Sequence, residues 1–403
     1  MSTVALPPTP KSPGVGARRK DPKQLPTLPL SVFTPPNTGT SDKFPAQPSP
    51  STLQPEEIVD AHVLNVSGDL SSWQSETGQT IGNRVRGIVL SLHGAQQPDI
   101  EKLVQDVASA TSSTPILAIA VPFKLEDGAP TSPPSYLASG SSSKPTIALT
   151  TTFTKPSQAA IDALSWAVTQ KFTVNIDVQS DLQQEGGWEA LVDLITKATA
   201  SPGPKGKIVL LRLATRAHVE IERWSWGQWG DTAAIFRVRA PANILPPPDD
   251  LTLPIVKLLT HPSYRTYQNQ TASLSLCANL YINFLPPAWG APTPPTPSPP
   301  PSSSAENVDE EADKAARADI KEKNEWKRRI KMYIGPAVEA FGFQRILFGS
   351  SAAAPLSGPS PASSAGDWFE LARESFAELG LEQDDLDAVF AQNARLAYPA
   401  RSS

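Results

Sequence analysis

Few side chains in this sequence can carry acid–base or metal chemistry, since only four of its 403 residues are histidines. Asp60 and His62 stand two positions apart in the apolar run "IVDAHVL". Alternate residues of a strand point to the same face, so this spacing predicts a carboxylate and an imidazole that act on one ligand. His93 follows the run "VLSL" and is predicted to lie at a strand tip. The other two, His218 and His261, lie in segments typical of surface loops.

Three further polar residues end apolar runs: Asp177 in "VNIDVQ", Arg212 in "IVLLRLATR" and Ser351 in "QRILFGSSAAAP". An arginine can bind a substrate carboxylate through two parallel hydrogen bonds. Ser351 stands where a strand end often carries a catalytic acid, and a serine hydroxyl needs an activating neighbour before it acts as a base. We predict that Asp177 and Ser351, together with His93, contact a bound substrate.

A tryptophan cluster, "ERWSWGQWGD", contains Trp224, Trp226 and Trp229. Aromatic rings supply large contact areas at low entropic cost, so the cluster predicts a lid in which Trp226 contacts substrate. The alternative is that the three rings pack an irregular segment against the body of the fold. Both interpretations are open at this stage.

Strands must position these residues, and the sequence contains eight apolar runs of strand length. Helical patterns lie between most of them. Near-continuous apolar strands separated by amphipathic helices predict a parallel sheet covered by helices, and eight repeats fit a (β/α)8 TIM-like barrel, with chemistry at the C-terminal strand ends. The turn "NVSGDLSS" after the first run lacks the glycine spacing of a dinucleotide-binding fold. The predicted strands are residues 58–66, 87–92, 116–121, 146–153, 172–178, 208–213, 274–284 and 345–348.

Five segments follow one another in a recognisable order: "IVDAHVL", "KIVLLRLATR", "ANLYINFLPP", "FGFQRILFGSS" and "WFELARESFAELGLEQDDLDAVFAQNARLAY". Together they resemble the amidohydrolase-related superfamily, in its lactonase-like branch. The closing segment is the most characteristic, because a strand reading "RILFGS" is followed there by a helix, an acidic turn and "VFAQNARLAY". The resemblance covers residues 56–399 and implies a TIM-barrel hydrolase.

The resemblance also implies a metal site, from which this sequence departs at three positions. Members open with Asp-x-His-x-His, whose histidines bind a divalent metal or, in metal-free members, contact the substrate. Asp60 and His62 match, but Leu64 stands at the second histidine. Arg212 replaces the histidine that usually ends the sixth strand, and Ser351 replaces the aspartate that ends the eighth. A catalytic metal needs about three protein ligands, and of these positions only His62 supplies one.

Two functions fit this pattern. The first is a degenerate barrel, a pseudoenzyme that binds a small molecule or regulates a partner and holds no metal. The second is an active hydrolase of lactones or related small carbonyl compounds, using a residual catalytic site of Asp60, His62 and Arg212 with His93. Zinc or manganese is expected only if the mechanism of the family operates.

Proline is about twice as frequent as its usual ~5% share, with 43 residues. A Pro-rich tail over residues 1–55 is predicted to be disordered. A low-complexity insertion over residues 286–310 is predicted to interrupt the barrel domain of residues 56–399. Both segments are candidate docking sites for proteins that bind polyproline.

The remaining composition excludes several classes of protein. A net charge of −5 argues against a nucleic-acid partner, and no apolar run is long enough to span a membrane. The single cysteine, Cys277, excludes an internal disulfide framework and is predicted to be a small buried core residue. We therefore expect a cytoplasmic protein. The charged run at 306–331 is predicted to be a solvated helix face.

Overall fold

The computed structural model describes the part of the chain that forms the predicted barrel. Its described residues are 52–109, 114–138, 145–179, 186–203, 205–213, 254–287, 289, 292–296, 310–353 and 364–399, with side chains except at 79–80, 97–98, 212–213 and 310–316. The chain divides into residues 1–47 and 48–403, and the first unit lies outside the described residues. Most of the predicted tail and insertion therefore also lie outside them.

The core of the fold is one sheet of eight strands, in which every strand pairs with its neighbours in chain order. All of the described ladders are parallel. The sheet curves into a nearly closed barrel, which confirms the predicted (β/α)8 architecture. The strands are β1 (Ile58–Leu64), β2 (Val85–Ser91), β3 (Ile116–Pro122), β4 (Thr146–Phe153), β5 (Val174–Val178), β6 (Ile208–Leu213), β7 (Leu280–Phe284) and β8 (Ile346–Phe348).

Helices cover the outside of the barrel and close one of its ends. Among the described residues they are α1 (Ser71–Gly82), α2 (Gln97–Ser109), α3 (Ser135–Ala138), α4 (Gln158–Thr169), α5 (Gly187–Ala198), α6 (Ile255–Leu258), α7 (Pro262–Ser275), α8 (Glu310–Phe341), α9 (Ala365–Ala377), α10 (Gln383–Asp387), a π-helical turn (Ala388–Gln392) and α11 (Asn393–Ala397). None of the described helices is long and apolar enough to cross a membrane.

Several predicted strand boundaries differ by one or two residues, and the boundary of the seventh strand differs most. The seventh strand was expected from residue 274, but β7 begins at Leu280, because α7 occupies the preceding residues. His261 caps α7 by accepting a hydrogen bond from the Ser263 backbone, and Pro262 suits the first helical turn. Cys277, in the connection from α7 to β7, is only half-buried, which corrects its predicted burial.

The charged run before residue 331 is not a fully solvated face. Lys323 and Lys327 on α8 are less than 10% exposed. They form ion pairs with Glu374 of α9, at 2.9 and 3.0 Å, and Lys327 also pairs with Glu378 at 2.6 Å. This part of α8 can be buried against α9 because the charge of each lysine is paired with a carboxylate of the neighbouring segment.

Buried residues form three apolar clusters in the described structure: two of them separate the inside of the barrel from its outside, and a third joins Leu211, Leu285 and Ala353. The inner cluster is built mainly of small residues, which fit the narrow interior. Its members include Val59, Ala61, Val89, Ala118, Ala120, Ala148, Val209, Tyr281 and Leu347. Strand residues between them, such as Ile58, Leu90 and Ile282, belong to the outer cluster that packs against the helices. The alternation therefore shows which polar strand residues face inward.

The C-terminal helix α11 closes the N-terminal end of the barrel. Ala394, Ala397 and Tyr398 belong to the inner cluster, and the Tyr398 hydroxyl donates a 2.7 Å hydrogen bond to Oδ1 of Asn175 on β5. Both side chains are almost completely buried. The hydrogen bond thus joins the end of the chain to the interior of the barrel.

Tyr398→Phe is expected to lower the free energy of unfolding by about 1–2 kcal/mol, because Asn175 Oδ1 is left buried without its donor. Chemical denaturation measures the change. Tyr136→Phe on α3, where the ring is only half-buried, is the control and should change stability by less than about 0.5 kcal/mol. Equal stabilities of Tyr398→Phe and the wild type would show that the packing of α11 against the barrel does not depend on this hydrogen bond.

Candidate functional site

The C-terminal ends of four strands carry polar side chains that point into the barrel. Ser91 on β2 follows the inward Val89, and Asn283 on β7 follows the inward Tyr281. Thr150 on β4 and Asp177 on β5 occupy the corresponding positions one layer above Ala148 and Asn175. All four are at most 1% exposed. Polar groups so placed lie where barrels of this kind hold their ligands.

One ring nitrogen of His62 on β1 makes a hydrogen bond, and the other has no partner among the described residues. Its Nδ1 lies 3.2 Å from the backbone oxygen of Ser351. A carbonyl oxygen only accepts, so Nδ1 carries the hydrogen and Nε2 presents a lone pair. Nε2 is buried and has no hydrogen-bond partner among the described residues. Burial lowers the pKa of His62 to about 4, so the imidazole is neutral at pH 7.

The carboxylate of Asp60 is held at the junction between β1 and the end of β8. Oδ1 accepts from the backbone N–H of Ser350 at 3.0 Å and of His62 at 3.1 Å. Oδ2 lies 3.3 Å from Nε1 of Trp73, which also donates to the Ser350 hydroxyl at 3.0 Å. Burial raises the pKa of Asp60 to about 6 although these hydrogen bonds oppose the shift. Asp60 therefore ties β8 to β1 and to α1.

Asp60 and His62 do not act on one face as the spacing predicts. The register between β1 and β2 shifts between Asp60 and Val63, which interrupts the alternation of the strand. Asp60 contacts Trp73, a member of the outer cluster, whereas His62 interacts electrostatically with His93 and Asp177. The prediction that both side chains point to the same face is therefore wrong. The Asp60 carboxylate lies in the wall of the barrel, and the His62 imidazole lies toward its interior.

Ser351 contributes through its backbone. Its N–H donates to the backbone oxygen of His62 at 3.1 Å, and its own oxygen contacts the His62 ring. Gly349, two residues earlier, lets the chain pass close to His62, because an added Cβ would lie 2.9 Å from the His62 Cβ and 2.5 Å from Leu285 Cδ2. The loop of small residues that ends β8 therefore positions His62.

Two other predicted site residues, His93 and Asp177, lie near His62, and the side chains of Arg212 and Trp226 are not described. His93 is half-buried, with Nδ1 3.4 Å from the Thr150 hydroxyl. Asp177 is buried and accepts a 2.8 Å hydrogen bond from Gln179. The backbone of Arg212 pairs with Asp177 in the β5–β6 ladder, but the Arg212 side chain lies outside the described residues. Trp226 and the rest of the tryptophan cluster lie outside them altogether.

The residues of this site do not fit a divalent metal held in the way the resemblance implies. Within the described ranges, no three His, Cys, Asp or Glu side chains are grouped so as to hold a metal ion. Leu64 has no donor atom, and the carboxylate of Asp60 is engaged at the β1–β8 junction. His62 Nε2 is a suitable ligand atom, but it does not have the partners that a catalytic metal needs.

Three inward residues, Ser91, Thr150 and Asn283, were not recognised in the sequence, and two of them have unpaired side chains. Asn283 is 0% exposed, and neither Nδ2 nor Oδ1 has a hydrogen-bond partner in the described structure. The Ser91 hydroxyl is likewise buried and unpaired. The signal was a single polar residue inside each of the apolar runs "LYINF" and "VLSL", at the position that alternates with inward residues. We call His62 Nε2, Ser91 and Asn283 the polar cradle.

No family model and no curated protein sequence matches the chain. The matches are solved structures. The chain is similar to amidohydrolases of known structure. One is a zinc-bound amidohydrolase from Burkholderia multivorans, at 12% identity and TM-score 0.47, covering 86% of this chain and 100% of that one. Another is a putative 2-pyrone-4,6-dicarboxylic acid hydrolase from Pseudomonas putida, at 11% identity and TM-score 0.45, covering 87% and 100%.

An amidohydrolase 2 from Bifidobacterium longum subsp. infantis is also similar, at 11% identity and TM-score 0.41, covering 86% of this chain and 99% of that one. These structures belong to the class that the sequence resembles. At such identities and TM-scores they decide nothing about chemistry, which depends on the residues around His62.

Proposed function

We propose that this protein is a barrel that binds a small polar molecule at the C-terminal ends of its strands and does not hydrolyse it by a metal-dependent mechanism. The observation that carries the proposal is the polar cradle. His62 Nε2, the Ser91 hydroxyl and both amide atoms of Asn283 are buried, and none has a hydrogen-bond partner among the described residues. Buried polar atoms are nearly always hydrogen-bonded in folded proteins.

Unpaired polar atoms in the cradle would carry a large energetic cost. An unsatisfied buried donor or acceptor costs about 1–3 kcal/mol. For the atoms of the cradle the sum is on the order of 4–12 kcal/mol, which is comparable to the whole stability of a typical domain, about 5–15 kcal/mol. Asn175 Nδ2 and the Thr271 hydroxyl are also buried and unpaired in the described structure, so the proposal depends as well on the position of the cradle at the C-terminal ends of the strands.

The donor set argues against the mechanism of metal-dependent relatives. Asp60 is engaged by backbone and indole donors, and Ser351 offers its backbone to His62. Ser351 stands at the end of β8, where the resemblance implies a carboxylate that activates water. A barrel with this site can bind a small molecule, but it lacks the metal-ligating side chains and the general base that metal-dependent hydrolysis needs.

A second candidate function is hydrolysis of a lactone or related carbonyl compound without a metal. One observation favours it: His62 is neutral at pH 7 and presents an unpaired Nε2 within electrostatic reach of Asp177 and His93. Such an imidazole can take a proton from water. In this scheme Asp177 stabilises the imidazolium that forms.

Metal analysis and ligand-induced stabilisation separate these functions. Purified full-length protein is expected to contain no stoichiometric zinc or manganese and to release no acid from a lactone panel. A metabolite panel is expected to yield a compound that raises Tm, and His62→Ala should abolish this rise while keeping the wild-type circular dichroism spectrum. His261→Ala, at the start of α7, is the matched control and should keep the rise. Stoichiometric metal, or lactone turnover lost in His62→Ala, would contradict the proposal.

The regulatory role and the docking of partners to the Pro-rich segments at 1–55 and 286–310 remain predictions, as does the cytoplasmic location. The proposed ligand site does not depend on any of them. Removal of residues 1–51 tests whether the ligand site is independent of the Pro-rich tail. The truncated protein is expected to keep its ligand-induced stabilisation.

A further inference from the structure

We infer that Thr296 is a phosphorylation site for a proline-directed protein kinase, and that phosphate on this residue loosens the Pro-rich insertion from α9. The inference concerns residue 289 and residues 292–296, which we call the strap. It does not depend on the proposed ligand site. It follows from the exposure of one of the two threonines in the strap and from the carboxylate that holds the backbone of that residue.

The sequence offers two equivalent acceptors for such a kinase. Thr293 and Thr296 lie in "PTPPTP", where each threonine has a proline on both sides. A proline-directed kinase reads the proline that follows the hydroxyl residue. The sequence therefore does not distinguish the two positions, and each serves as the matched control for the other.

The structure does distinguish them. Thr293 is only 4% exposed and Pro294 beside it is buried, whereas Thr296 is exposed. A kinase must bring the acceptor hydroxyl into line with the γ-phosphoryl group of ATP. A buried hydroxyl reaches this position only after local opening of the chain, so Thr296 is the accessible acceptor.

Two anchors hold the strap. Near its start, the ring of Trp289 lies 4.8 Å from that of Trp326 on α8, measured between ring centroids, and both side chains are buried. At its end, the Thr296 N–H donates a 2.7 Å hydrogen bond to Oδ1 of Asp367, in the first turn of α9. The strap therefore connects α8 with α9, and its second anchor is on the residue that the kinase modifies.

Phosphorylation changes the charge at this second anchor. Thr296 Oγ1 forms a bond to the γ-phosphorus of ATP, the bond from that phosphorus to the bridging oxygen breaks, ADP leaves, and the hydroxyl proton passes to the base of the kinase. The product carries a charge of about −1.5 to −2 at pH 7. This charge stands on the residue whose N–H is held by the Asp367 carboxylate, so like charges repel and the anchor weakens.

The first experiment measures site selectivity in full-length protein. A proline-directed kinase is chosen that modifies both threonines in a synthetic peptide of residues 286–300, and phosphate is located by mass spectrometry. In the folded protein, Thr296 should be modified at least about tenfold faster than Thr293, after correction for the ratio in the peptide. Trp289→Ala removes the first anchor and should raise the rate at Thr293 more than the rate at Thr296. Equal corrected rates at the two threonines, or no phosphate on Thr296, would overturn the inference.

The second experiment measures the loosening. Proline has no N–H, so Thr293 and Thr296 supply all of the exchanging amides of residues 292–297. Thr296→Glu, which adds a charge, is compared with the neutral Thr296→Gln by hydrogen–deuterium exchange at residue 296. The ratio of their exchange rates should be about threefold larger with Asp367 present than in the Asp367→Asn background, where the like charge is gone. An equal ratio in the two backgrounds would show that charge at residue 296 does not loosen the strap.

Discussion

Asp60→Ala is expected to lower the free energy of unfolding by about 3–5 kcal/mol, the largest effect that we predict for a single substitution. The carboxylate accepts hydrogen bonds from the backbone of Ser350 and His62 and from the indole of Trp73. The substitution leaves the two buried backbone N–H groups without this acceptor, whereas Trp73 Nε1 keeps the Ser350 hydroxyl at 3.0 Å. Urea denaturation at pH 7 measures the loss.

Two variants serve as controls for this prediction. Asp106→Ala removes an exposed carboxylate on α2 and should change stability by less than about 0.5 kcal/mol. Asp60→Asn keeps the shape and one acceptor oxygen, so its loss should lie between the two. A loss below about 1 kcal/mol in Asp60→Ala would mean that the junction between β1 and β8 does not depend on this carboxylate.

The location of Asp60 also bears on function. The sequence predicts that Asp60 and His62 share a residual catalytic site, yet in the structure the Asp60 carboxylate holds β1 and the end of β8 together. The β1–β8 junction needs this help, because β8 is only three residues long. An enzyme that used Asp60 as its base would have to give up part of that closure. Asp60 is thus a poor candidate for a catalytic base, and its main role is to stabilise the fold.

The barrel could be predicted from the sequence because each element is encoded locally. One of the helical patterns between the predicted strands forms α4, where Ser157 caps the first turn by accepting from the Ala160 N–H. The predicted strand at 146–153 likewise matches β4. Alternation of apolar strands and amphipathic helices then leaves few architectures other than the barrel.

The site could be predicted only in part, because it depends on contacts between distant strands. His62 was recognised from its place in the strand, and the structure brings it near His93 and Asp177. Asn283 could not be recognised, since its unpaired amide is apparent only when the barrel has closed around it. The register shift after Asp60 is also invisible in the sequence, where a strand is assumed to alternate regularly.

Asp60 and His62 are expected to give opposite pH dependences of stability. Burial raises the pKa of Asp60 from 3.8 to about 6, so between these values the folded state binds the proton more tightly and stability falls as pH rises. Burial lowers the pKa of His62 from 6.5 to about 4, so the unfolded state binds the proton more tightly and stability rises with pH. Each contribution is on the order of 3 kcal/mol over its window.

The two contributions largely cancel in the wild type between pH 4 and pH 6, so single substitutions are needed to reveal them. Relative to the wild type, Asp60→Asn should gain about 3 kcal/mol of stability as pH rises from 4 to 6.5, whereas His62→Gln should lose a similar amount. Urea denaturation at half-unit pH intervals measures both differences, and the double variant should return to the wild-type slope. Parallel curves for the two single variants would show that the two groups do not titrate as buried residues. Opposite slopes would establish that His62 is neutral at pH 7, the protonation state in which a ring that donates through Nδ1 to the Ser351 carbonyl has a lone pair at Nε2.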